Sequence, residues 1–175
     1  MGKVSRVRNA TRLGRALLAL VCFSAVTACS DAQDEKPTYD EAIKQLVADA
    51  EALLASDELR RSGTAVATEK AETDTPGECI PGEVQRFYRA EGNLTGPKDR
   101  QSPHNATGLM SALLGLMSYD HVAESLDIRD EDLSVTVSRK PASGVTFILA
   151  VRKDKEPNIL IVGKTDCFKT NAEAQ

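Results

Sequence analysis

The stretch LSVTVSRKPASGVTFILAVRKDKEPNILIVGKTDC, from Leu133 to Cys167, decides the fold class. Three runs rich in β-branched residues, Leu133 to Arg139, Val145 to Arg152 and Ile159 to Lys164, are separated by turn formers at Pro141 to Gly144 and Pro157-Asn158. Short runs punctuated in this way read as an antiparallel meander. In the first run Leu133, Val135 and Val137 alternate with Ser134, Thr136 and Ser138. The hydroxyl side is expected to be wet and the strand to lie near a sheet edge. Ile159 to Val162 is apolar on both sides and is expected to be central.

Working towards the N-terminus, Val84 to Glu91 supplies a fourth strand, closed by Gly92-Asn93 and Gly96-Pro97. Between it and the meander, Asn105 to Tyr119 presents Leu109, Met110, Leu113, Leu114, Leu116 and Met117 around most of a helix. Gly108 and Gly115 weaken that helix and are expected to allow close approach to the sheet; a Met-lined groove is the alternative. Thr38 to Ser56 reads as a first helix, with Thr38 and Glu41 as a capping box behind Pro37. Its stripe includes Tyr39, Ile43, Leu46, Ala50 and Leu53, with Asp40, Lys44, Asp49 and Glu51 facing away. The stripe serves either the helix's own domain or a docked partner.

The expected architecture is therefore α+β: a four-stranded antiparallel sheet with two packed helices. Its segments are an N-terminal helix at 38–58, a flexible connection at 59–78 ending in Pro76-Gly77, a core at 79–168 and a disordered tail at 169–175. Within the connection, Thr64 to Thr68 is the one stretch of strand composition.

Charge is unevenly spread over the 175 residues. Positions 1 to 28 hold Lys3, Arg6, Arg8, Arg12 and Arg15 with no acidic group, five of the 22 basic residues, leaving 17 against 26 acidic ones in the remainder, net −9. So acidic a remainder disfavours nucleic acid as a partner, since polyanions attract clustered Lys and Arg. The basic start leads into the apolar run Ala16 to Ala28, the order of a secretory signal peptide spanning 1–28. That run is short of the roughly 20 residues a helix needs to cross a bilayer.

The run ends in Val26-Thr27-Ala28-Cys29, which resembles the lipobox of bacterial lipoproteins: an aliphatic residue, two small ones, then cysteine. The resemblance implies cleavage before Cys29, diacylglycerol on its sulfur, and a lipid-anchored chain of 147 residues at the extracytoplasmic face of the cell membrane. Two acyl chains hold a protein stably where one does so marginally. Residues 29–37 would then be a polar tether. The alternative is an ordinary secretory signal that leaves Cys29 as a free thiol.

Export leaves Cys79 and Cys167 as a pair in a compartment that permits disulfides, and they are expected to be bonded. Such a bond would make the strands beside them neighbours. Metal binding is the rival, but Cys79, Cys167, His104 and His121 form no pair at ligand spacing. Neither a metal nor any other cofactor is expected.

Gly163-Lys164-Thr165 ends like a phosphate loop but lacks the leading glycine, Asn158 standing there. Asp127, Asp130, Glu131 and Asp132 have no glycine where a calcium loop needs one. Asp120-His121, without a nucleophile elbow nearby, reads as a solvated helix end.

The capped helix, Cys79-Ile80-Pro81-Gly82, the Leu-rich helix and the strands ending at Thr165-Asp166-Cys167 together resemble small lipoproteins of actinobacteria. Tyr119 is an approximate match to the aromatic such domains carry near their second helix. The resemblance implies an envelope location and no reaction. The expected role is a non-catalytic module that binds a protein or small ligand through the sheet or the second helix. The alternatives are a module capping a membrane protein with its first helix, and an envelope hydrolase.

Overall fold

The computed structural model describes residues 36–124, 130–153 and 155–169. The signal peptide, Cys29, most of the tether, Asp127 and the tail beyond Lys169 lie outside them. The elements are α1 (Tyr39–Ala55), α2 (Asp57–Ser62), β1 (Gly63–Lys70), β2 (Glu83–Val84), β3 (Phe87–Leu94), α3 (Pro103–Leu116), β4 (Asp120–Glu124), β5 (Leu133–Lys140), β6 (Val145–Arg152), β7 (Ile159–Thr165) and β8 (Phe168–Lys169).

The α+β class stands, but the main sheet has six strands rather than four, in the order β1-β3-β7-β6-β5-β4, every pair antiparallel. The two additional strands are its edges. β1 occupies what was expected to be a flexible connection; its inward positions Gly63, Ala65 and Ala67 are too small to give an apolar alternation. β4 contains Asp120-His121, expected at a helix end, and is likewise polar and short. β2 and β8 form a separate two-stranded ribbon. β7 is central, as its apolar run demands.

The described helices number three, not two. Ser56 ends α1 and caps α2, its hydroxyl accepting from the Leu59 amide. The capping box is present: Thr38 accepts from the Glu41 amide, and Glu41 accepts from the Thr38 amide at 2.8 Å. α3 begins two residues earlier than expected because Ser102 caps it with Pro103 in the first turn. It ends before Tyr119, where Ser118 takes a positive φ of 67°.

The core lies between the helices and one face of the sheet. Leu46, Ala50 and Leu53 of α1 and Met110 and Leu114 of α3 are buried against Tyr88, Ala90, Phe147, Leu149 and Ile161. Gly163 lets α1 sit close, since a Cβ there would come within 2.5 Å of Leu46 Cδ1 and 2.7 Å of the Phe147 ring. Asp49, expected to face water, is buried instead. Its carboxylate accepts a 2.7 Å hydrogen bond from the Tyr119 hydroxyl, and Lys140 Nζ stands 3.6 Å away.

Cys79 and Cys167 are disulfide-bonded across 88 residues of sequence. The bond ties the loop before β3 to the end of β7, and β3 and β7 are indeed neighbours.

Candidate functional site

β5 alternates as the sequence indicates, but its faces are exchanged relative to the expectation. Ser134, Thr136 and Ser138 are the buried side chains, whereas Leu133, Val135 and Val137 are only half-buried. The cause lies in α3, which brings hydroxyls of its own to that side. Thr107 Oγ1 and Ser134 Oγ share a buried 2.6 Å hydrogen bond, and Ser111 Oγ lies 2.7 Å from His121 Nε2. A hydroxyl buried without a partner costs about 1–3 kcal/mol, so polar side meets polar side. The glycines of α3 do not approach the sheet: at Gly108 and Gly115 a Cβ would meet open space.

The exchange turns the apolar side of β5 to the face of the sheet that the helices leave uncovered. Strand register builds two rows across it. One runs Glu91, Leu160, Ala150, Val135 and the next Arg89, Val162, Ile148, Val137. Val66 extends the first row on β1. No described helix covers this face, and Leu160 and Val66 are 37% and 69% exposed. Ala150, Val135, Val137 and Ile148 are half-buried between them and Val162 is buried among its neighbours; apolar area left partly open on a sheet face marks interaction surfaces. The rows were missed in the sequence because Leu133, Val135 and Val137 look like a core side. The available signal was Thr107 and Ser111, four residues apart on one side of α3, where Thr107 meets Ser134 of β5 and Ser111 meets His121 of β4.

The other candidates hold no assembled chemistry. Ser111 and His121 touch, but Ser111 is buried, and the contact joins α3 to the edge strand. His104 Nε2 lies 3.0 Å from the Asp130 carbonyl oxygen. Gly163-Lys164-Thr165 lies within β7 with Thr165 buried, accepting from the Arg86 amide. Asp130, Glu131 and Asp132 are exposed, Asp130 accepting from the Asp132 amide. Among the described residues no three His, Cys, Asp or Glu side chains gather as a metal site, and no helix is long and apolar enough to cross a membrane.

Near the N-terminus of α1, Tyr39 packs on Phe168 and donates to Asp74, which also accepts from Arg86. Partial burial, then the Asp74 hydrogen bond, push the Tyr39 hydroxyl up to about 12. The bonds from Tyr39 and Arg86 hold Asp74 below the usual carboxylate range. These polar groups satisfy one another in a clamp that fixes the start of α1.

Compared with protein-family models, curated proteins and solved structures, the chain finds no match. The uncovered rows carry aliphatic side chains with Arg89 and Glu91 at one end.

Proposed function

We propose that the protein is a lipid-anchored module of the bacterial cell envelope, held at the extracytoplasmic face of the membrane by acyl chains on Cys29, which binds a protein partner without catalysing a reaction. The observation that carries the binding role is the uncovered apolar face of Leu160, Ala150, Val135, Val137 and Ile148. A folded chain leaves such a face open at the cost of solubility, and a partner that covers it recovers the hydrophobic free energy. The lipobox Val26-Thr27-Ala28-Cys29 and the basic leader support the location. The disulfide suits an oxidising compartment. Capping a neighbour with α1 loses ground, because Leu46, Ala50 and Leu53 are consumed by the core.

Two measurements test the proposal. Intact mass of membrane-extracted protein is expected to show a chain starting at Cys29 plus acyl groups; a retained initiator methionine or absent acyl mass overturns the anchor. A photo-crosslinking residue at position 160 is expected to trap a polypeptide in cells where one at the exposed Glu72 does not. Equal or no trapping at both positions overturns the binding role.

A further inference from the structure

The uncovered face carries a charge pattern that selects its occupant. Arg89 and Glu91, two residues apart on β3, are the ends of the two adjacent rows and point to the same side of the sheet. Arg89 pairs with Glu69 at 2.8 Å, while Glu91 makes no ion pair among the described residues. Consider a twofold axis lying over the face, perpendicular to the strands and midway between the rows. It places each row on the other row of a second copy. Glu91 then meets the second copy's Arg89 and Arg89 meets its Glu91, while Leu160 meets Val162, Ala150 meets Ile148 and Val135 meets Val137.

We propose that the occupant of this face is a second copy of the same chain, packed sheet to sheet about that axis. The inference rests on the docking role assigned to the face, not on the lipid. Every contact in it is made twice, as a closed twofold interface requires; Leu160 and Ile148 meet the smaller Val162 and Ala150, and Val135 meets Val137. Two sheets pack with their strands within about 30° of each other and about 10 Å apart, which leaves room for one interdigitated apolar layer. Six strands at about 4.8 Å spacing and strands of about eight residues at roughly 3.3 Å each give a face on the order of 600 Å² per copy. Both copies together would bury about 1,200 Å², the lower end of the range for specific interfaces.

The alternative use of a sheet, strand addition at an edge, is opposed by the breaks in register in both edge strands, at Ala67/Glu69 in β1 and His121/Ala123 in β4.

The experiment uses the exported, oxidised chain carrying Cys29→Ser, so that no acyl group contributes, followed by sedimentation velocity across concentration. The expected result is a monomer–dimer equilibrium. Glu91→Arg and Arg89→Glu are each expected to weaken it at least tenfold, because like charges then face each other across the axis. Mixing the two variants is expected to restore a dimer, since one copy then offers two arginines and the other two glutamates. Leu160→Lys, at a site that tolerates charge in the monomer, is expected to abolish it, with circular dichroism confirming the fold. A wild-type chain monomeric at every concentration, or variants that dimerise unchanged, or a mixture that stays monomeric, overturns the proposal. If position 160 traps a different polypeptide in cells while the purified chain is monomeric, the binding role stands and the second copy falls.

Discussion

Asp49 carries more of the fold than its place on α1 suggests. It accepts from Tyr119, 70 residues away, and Lys140 closes on both partners, 3.6 Å from the carboxylate and 5.4 Å from the centre of the Tyr119 ring. Tyr119 in turn meets Phe147 edge-on. Tyr119→Phe keeps the ring contacts and removes the donor, and is expected to cost about 1–3 kcal/mol in denaturant unfolding. Burial first, then the bond to Asp49, raise the Tyr119 hydroxyl far above its ordinary range. Tyr39 and Tyr88 are also raised, both chiefly by burial. A phenol raised in the folded state contributes stability that is intact below about pH 10, the unfolded value, and is lost as pH climbs towards the folded value. Thermal midpoints are therefore expected to fall above about pH 10, less steeply in Tyr119→Phe; a midpoint flat to pH 11 contradicts this. The partner was not legible, Tyr119 being 70 residues away, but the burial was, since Asp49 stands three residues after Leu46 and four before Leu53, on the stripe's own side.

At the scale of elements, what could be read depended on whether a segment carries its own pattern. α1, with a capping box and a stripe, and the meander β5 to β7, with turn formers at its breaks, are self-announcing. The edges β1 and β4 are not, because an edge strand needs little apolar area and β1 presents only glycine and alanine inwards. Which side of β5 is covered depends on α3, and pairing across 27 residues leaves no local mark. The same dependence makes Gly163 decisive. Gly163→Ala puts a methyl into Leu46 and Phe147, and is expected to lift α1 and cost about 1–3 kcal/mol, as overpacking does. Equilibrium urea unfolding measures it; a variant as stable as the parent would mean that α1 is held loosely.

For the whole molecule, the covalent link between the loop ahead of β3 and the chain beyond β7 closes most of the core into one loop. Cys79→Ser with Cys167→Ser is expected to destabilise by about 2–5 kcal/mol, the usual range for a small exported domain. Calorimetry of oxidised and reduced protein checks it, and equal midpoints would show that the sheet does not need the bond. The pairing was legible because an exported chain would leave Cys79 and Cys167 for each other; the candidate surface was not, because it exists only once several strands are in register and the helices have chosen a side. The ladders of both outermost strands are interrupted by a register shift. If the proposed anchor crowds such molecules on a membrane, an apolar sheet face would invite fibre growth, and fibres elongate by templating along a straight outer border. A register shift in each border interrupts that template, so the proposed pairing of faces would close on two copies and not propagate.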